Sequence, residues 1–288
     1  MSRVTVVTDT TGYLPAELVR SNGIQLVSLY VNFGGERTVR EANITDYAAF
    51  YDELRGAASL PTTSQPPVGD FLEVYEPLLA EGHDVLSVHI SAGLSGTCDA
   101  ARQAVETLER DGKAGRVRVF DSATGAGGIA LVALGAAKAA REGGDLDAVE
   151  AAARTTRESL KIWFAIDTLE YLRRGGRIGA ASAWIGSTLK IKPILTVERE
   201  MTPIERVRTR ARAFDRMVDY ARQRHAAGAD GWVVQHIQSP DQANKLADAC
   251  REIFNSEPVW ISEVGPVLGV HTGPGLLGVG GVPRGLVE

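Results

Sequence analysis

Only two cysteines occur in 288 residues, Cys98 and Cys250, far apart and in no CxxC or ligand-like spacing. That argues against a disulfide scaffold or a thiolate metal site and points to a reduced, cytoplasmic chain with no metal. Aromatic residues are scarce at 6% and the net charge is -5. Neither stacking platforms for single strands nor a basic stripe for phosphates is on offer, so nucleic acid is not an expected partner. The longest stretch low in charge, Ala123 to Ala137, is too short and too rich in Gly and Ala to span a bilayer. The opening segment from Met1 to Val7 enters a strand pattern at once, without the apolar core and cleavage site of a signal peptide. No GxxxxGK[ST] is present, and no GxGxxG follows a strand run. A P-loop is therefore excluded, the dinucleotide fingerprint is absent, and no cofactor is expected.

What remains is ordinary globular material, 44% hydrophobic and 23% charged, long enough for one large domain or two smaller ones. Strand-like runs (Val4–Val7, Ile24–Tyr30, Val85–Ile90, Arg116–Phe120) alternate with helical patterns around Pro15–Val19, Ala48–Leu54, Val68–Leu79, Cys98–Leu108 and Gly128–Ala140. This alternation predicts a mostly parallel sheet covered on both faces, with ligands beyond the carboxyl ends of the strands. Asp9, Ser91 and Asp121 fall at such ends. After Gly143-Gly144-Asp145 the rhythm changes. A helix over Asp147–Leu160 is followed by irregularly spaced strand runs at Trp163–Ile166, Lys192–Val197 and Trp232–Ile237. From Val264 to Val279 apolar residues are broken by glycines and prolines. The expectation is a three-layer α/β/α domain over residues 1–155 and a mixed α/β domain over 156–288, with the break near 145–160.

The most chemical stretch is Ser91-Ala92-Gly93-Leu94-Ser95-Gly96-Thr97, between a strand run and a helix start. The first turn of a helix leaves N–H groups unpaired at the positive end of its dipole. Short hydroxyls and glycines at that place make an anion pocket, although helix capping alone accounts for either hydroxyl. The turn is close to a nucleophile elbow, but Thr97 stands where G-x-S-x-G needs its last glycine. A second hydroxyl cluster, Thr62-Thr63-Ser64-Gln65-Pro66-Pro67, reads as a loop capping the next helix.

Two further candidates are His271, between apolar residues and a Gly-Pro-Gly turn, and Arg177, after Gly175-Gly176. An imidazole on so fixed a backbone can donate to an anion or move a proton, or it can simply tie the turn together. Loop backbone can present Arg177 to a phosphate or carboxylate, whereas Arg173 and Arg174 read as an ordinary basic helix end. His89 and His236 lie in apolar strand runs and read as core residues. The run Arg206-Val207-Arg208-Thr209-Arg210-Ala211-Arg212 reads as a solvated face, or as a docking surface for an acidic partner.

Taken in order, Val7-Thr8-Asp9-Thr10-Thr11, Thr63-Ser64-Gln65-Pro66, Ser91 to Thr97, Asp121-Ser122, Gly175-Gly176-Arg177-Ile178 and His271-Thr272-Gly273-Pro274-Gly275 resemble the motifs of the DegV family. The resemblance implies a two-domain α/β fold with one long-chain fatty acid buried between the domains. It implies a non-catalytic role like that of the binding subunit of bacterial fatty acid kinase. There a separate ATP-binding kinase subunit phosphorylates the bound carboxylate, and the acyl phosphate feeds phospholipid synthesis. Thr63, Ser64, Ser95, Gly96, His271 and Thr272 would then hold the carboxylate, and Arg177 would face the partner or the phosphoryl group. Cys98 departs from the family pattern and would alter the pocket wall and hence acyl preference. The alternative is a serine hydrolase or acyltransferase using Ser95 with His271.

Overall fold

The computed structural model describes residues 3–34, 37–57, 59–110, 112–113, 115–185 and 191–288; Met1 and Ser2 of the opening segment lie outside them. In chain order the strands are β1 (Val4–Asp9), β2 (Gln25–Val27), β3 (Tyr30–Asn32), β4 (Thr38–Arg40), β5 (Thr62–Ser64), β6 (Asp84–His89) and β7 (Val117–Asp121). They continue as β8 (Lys161–Ala165), β9 (Lys192–Glu198), β10 (Glu200–Val207), β11 (Gly231–His236), β12 (Trp260–Glu263) and β13 (Leu277–Val282). The helices are α1 (Ala16–Ser21), α2 (Tyr47–Gly56), α3 (Val68–Ala80), α4 (Thr97–Arg110), α5 (Gly127–Arg141) and α6 (Leu146–Ser159). After them come α7 (Glu170–Arg174), α8 (Arg210–Ala226), α9 (Pro240–Phe254) and α10 (Pro266–Thr272).

The first sheet is parallel throughout, in the order β2-β1-β6-β7. Period-two alternation sends Val4, Val6, Leu86 and Val88 toward α5 and α6, and Val7 and Val85 toward α3 and α4. A second sheet, β10-β9-β8-β13-β11-β12, is mixed: β11 and β12 run parallel and its other pairs antiparallel. Helices α8 and α9 cover its outer face through Met217, Tyr220, Leu246 and Phe254. Helix α5 lies between the two sheets, buried along every residue from Gly127 to Ala137, which is why it is apolar all round.

Three expectations from the sequence change. The run Ile24–Tyr30 is not one strand. The chain leaves the parallel sheet at Ser28-Leu29, where the Leu29 N–H is taken by Thr10 Oγ1, and β3 then joins a small antiparallel sheet, β4-β3-β5. The segment Thr62–Pro67 is not simply a capping loop. Thr62–Ser64 forms β5, with Thr63 opposite Val31, and the cap position of α3 is Pro67, with no side-chain bond. The glycine-broken end contains an interior strand, β13, between β8 and β11. Gly280 is needed there because a Cβ would stand 2.7 Å from the Lys161 carbonyl oxygen.

Candidate functional site

The turn from Ser91 to Gly96 is fixed from three sides. Asp9, at the end of β1, accepts the Ile90 N–H at 2.9 Å and lies 3.1 Å from His89 Nδ1. Asp121, at the end of β7, accepts the Ala92 N–H at 3.2 Å and the Ala123 N–H at 2.8 Å. From the second sheet the tip of the β9–β10 hairpin reaches over: Ser91 Oγ donates to the Arg199 carbonyl at 2.5 Å, and the Arg199 N–H donates to the Ala123 carbonyl at 3.0 Å. Arg199 holds φ at 69°, a left-handed conformation at the tip of that tight hairpin. Gly93 cannot carry a side chain here, because a Cβ would collide with the Arg199 carbonyl. Inside the turn, Ser91's carbonyl accepts the N–H groups of Leu94 and Ser95, and Ser95 Oγ lies 2.8 Å from Thr97 Oγ1.

Facing this turn stand Thr63 on β5 and His271 on α10. Thr63 Oγ1 and His271 Nε2 are 2.7 Å apart. His271 is 8% exposed, and its Nδ1 is buried with no hydrogen-bond partner. Burial, with the Arg177 guanidinium nearby, pushes the imidazole down to about 4, so it is neutral near pH 7. Gly175 makes room for it, since a Cβ there would strike His271 Nδ1. Arg177 is exposed at the rim, its guanidinium bonded to the Gly175 carbonyl at 2.7 Å and to the Leu94 carbonyl at 3.4 Å.

These residues line one cavity that includes Thr63, Ser64, Gln65, Ser95, Arg177, His271 and Thr272, with Leu29, Ile90 and Val267 as apolar members. A second cavity lies against the inner face of the mixed sheet. Its walls are Ile162, Phe164, Val197, Val264 and Leu276, with the Gly125-Ala126 backbone at one side; Gln235 and Thr272 are its polar members. Gln235 presents no unpaired polar atom to it, as its amide is bonded to Gly127, Gly12 and Ser262. Leu94, Met201, Leu268 and Thr272 border both cavities. A cavity lined by hydroxyls and an imidazole therefore adjoins one that is almost wholly apolar.

The structure thus brings together Thr63, Ser64, Ser95, His271, Thr272 and Arg177 from four separate segments. Gly96 is adjacent and packs against the Gln65 side chain. Cys98 belongs elsewhere. It is fully buried below the turn, its thiol directed to the Ile90 carbonyl and pushed up to about 12 by burial, and it lines neither cavity. The expectation that Cys98 shapes the pocket wall is corrected accordingly, because its position on α4 points it into the core under the first sheet. The hydrolase geometry is also not the one found: Ser95 Oγ pairs with Thr97, while the imidazole pairs with Thr63. His89 and His236 are buried, His89 bonded to Ser87 and Asp9. The apolar lining residues were not singled out by sequence. Their only signal is hydrophobicity, which core residues share.

Among the described residues, no helix is long and apolar enough to cross a membrane. The chain matches the family model described as "Uncharacterised protein, DegV family" over residues 3–284. It is 40% identical to a DegV domain-containing protein of Streptomyces coelicolor, over 97% of this chain and 98% of that one. Among solved structures it is similar to a fatty-acid-binding DegV family protein from Thermus thermophilus, with TM-score 0.86, 34% identity, and 97% and 99% of the two chains covered. Bacillus subtilis DegV, described as a fatty acid binding protein, gives TM-score 0.86 and 32% identity with the same coverage. By family model, sequence and fold, this chain belongs to the DegV family.

Proposed function

We propose that this protein binds one long-chain fatty acid, its tail in the apolar cavity and its carboxylate at Thr63, Ser64, Ser95, Gly96, His271 and Thr272. What supports this reading best is that a polar cavity and an apolar cavity lie side by side, with Leu94, Met201, Leu268 and Thr272 bordering both. An amphiphile with a single polar end matches that pair of linings. The described binding of fatty acids by the Thermus and Bacillus relatives supports the same reading.

The energetics divide the work. Burying about 14 methylenes at ~0.8 kcal/mol each contributes on the order of 11 kcal/mol before ordering costs. Hydroxyl donors and the positive end of α4 give about 1–2 kcal/mol per contact, against desolvation of the carboxylate. The tail supplies affinity and the polar end supplies orientation. Thr63 and Ser95 donate their hydroxyl protons to the carboxylate, and His271 holds Thr63 in place. Arg177, exposed at the rim, stands where a phosphoryl donor would approach. We further propose that the protein is the non-catalytic partner of a separate fatty acid kinase, to which it presents the carboxylate for acyl-phosphate formation.

Palmitate and its methyl ester separate the two ends of the site. Binding of both at similar affinity contradicts the carboxylate assignment; a loss of about tenfold or more for the ester supports it. Failure of both to displace a fluorescent fatty-acid probe contradicts the acyl site itself.

A further inference from the structure

Glu41 is 2% exposed, and among the described residues its carboxylate is met by neutral donors and makes no ion pair. It follows β4 in a short 3-10 turn, Glu41–Asn43, and its carboxylate collects three donors. Oε1 accepts the Tyr13 hydroxyl at 2.8 Å and the Val267 N–H at 2.8 Å; Oε2 accepts the Thr10 hydroxyl at 2.5 Å. The Tyr13 hydroxyl also accepts the Leu268 N–H at 3.1 Å. Val267 and Leu268 are the second and third residues of α10, whose cap position is Gly265, a residue with no side chain to cap it. The orphan N–H groups that every helix start exposes are therefore satisfied here from residues more than 220 positions away. Tyr51 completes the seat by donating to the Val264 and Gly265 carbonyls at 2.7 and 3.1 Å. Gly265 and Gly269 lie flat on Tyr47 and Tyr51, where any Cβ would collide.

The other end of α10 is His271 and Thr272. Five and six residues at about 1.5 Å each place them roughly 8 and 9 Å from Pro266 along the helix axis, on one piece of backbone. Because the imidazole must stay within 2.7 Å of Thr63 while Gly175 leaves it no slack, the seat of the helix start fixes the hydroxyl geometry at the polar end of the cavity.

We propose that Glu41 is a positioning residue for that polar end: through Val267 and Tyr13 it anchors α10 and so sets where His271 and Thr272 stand. The titratable neighbours facing it are Asp9 from β1, Tyr13, and Tyr47 and Tyr51 from α2, with Glu263 of β12 beyond the tyrosines. The anchoring is made by hydrogen-bond geometry and does not need the charge. A glutamine can keep Oε1 on Tyr13 and Val267 and donate from Nε2 to Thr10.

The proposal rests on the fatty-acid reading only for its ligand, so two readouts are taken on the intact chain. Palmitate affinity is measured by probe displacement, and the ring nitrogens of His271 are followed by long-range 15N–1H correlation in ligand-free protein. Glu41→Ala is expected to weaken palmitate binding about tenfold and to move the His271 signals, whereas Glu41→Gln stays within about threefold and leaves them in place. If Glu41→Ala does not fold, Tyr13→Phe decides, with a several-fold loss and shifted His271 signals expected. A folded Glu41→Ala, or in its place Tyr13→Phe, with affinity and His271 signals unchanged overturns the proposal. So does a Glu41→Gln as impaired as the alanine. If the wild-type chain binds no palmitate, the fatty-acid reading fails while the His271 signals still test the anchor.

Discussion

Thr63 Oγ1 and His271 Nε2 meet at 2.7 Å across 208 residues of sequence, one on a three-residue strand and the other near the end of a seven-residue helix. Because the imidazole is held neutral, it pairs with the hydroxyl as one hydrogen-bonding partner with another and not as a cation. When Nε2 carries the proton and donates to Thr63, the hydroxyl hydrogen is free to turn into the cavity.

Thr63→Val keeps the shape of the side chain and removes the hydroxyl. It is expected to weaken fatty-acid binding about tenfold, and Ser95→Ala by a similar factor. Probe-displacement titrations of the two single variants and the double variant check this. Losses that add show independent contacts to the carboxylate, and no loss in either variant removes both from the site.

Arg177 is exposed, and its hydrogen bonds among the described residues go to backbone carbonyls. Arg177→Ala is therefore expected to leave palmitate affinity within about twofold while lowering acyl-phosphate formation, when kinase and ATP are supplied, by about tenfold or more. An emptied pocket in the variant reverses that division of roles.

Leu276 is a wall of the apolar cavity and is 6% exposed. Leu276→Ala should cost about 2–5 kcal/mol of stability in the ligand-free protein. It should also shift preference toward acyl chains longer by two or three methylenes, at ~0.8 kcal/mol for each one newly buried. Thermal unfolding with and without acids of graded length reads both effects; an unchanged length preference places the tail elsewhere.

Two buried groups titrate in opposite senses. Burial raises the Glu41 acid from 4.5 to about 7. The folded state thus holds its proton more tightly than the unfolded chain does, and stability falls as pH rises from 4.5 to 7. Burial lowers His271 from 6.5 to about 4. There the unfolded chain takes the proton first, and stability falls as pH drops from 6.5 to 4. Each effect is on the order of 3 kcal/mol, so they largely offset each other in the wild-type protein. Relative to wild type, Glu41→Gln is expected to lose stability as the pH goes from 7 to 4.5. His271→Asn is expected to gain stability, again relative to wild type, as the pH goes from 6.5 to 4. Urea unfolding at several pH values checks the signs; parallel profiles for all three proteins contradict them.

The parallel sheet was legible because Val4–Val7, Val85–Ile90 and Arg116–Phe120 are β-rich runs followed by helical spacing. The turn at Ser91–Thr97 was legible because hydroxyls and glycines between a strand and a helix leave few other uses. The small sheet was not, since β3, β4 and β5 have three residues each and show no period. Nor was β13, whose glycines are there for close approach of β8 and β11 and look locally like loop. Glu41 escaped notice because it sits beside Arg40 in a charged stretch and gains its role only from Val267, far along the chain.

The proposed site holds one acyl chain by its carboxylate, with the tail in the adjoining apolar cavity. Protein purified from cells, denatured, extracted with organic solvent and examined by mass spectrometry tests it directly. The expected result is free long-chain fatty acid at close to one molecule per chain, much reduced in the Thr63→Val, Ser95→Ala double variant. Wild-type protein without an acyl chain, and unable to take one up from added palmitate, contradicts it.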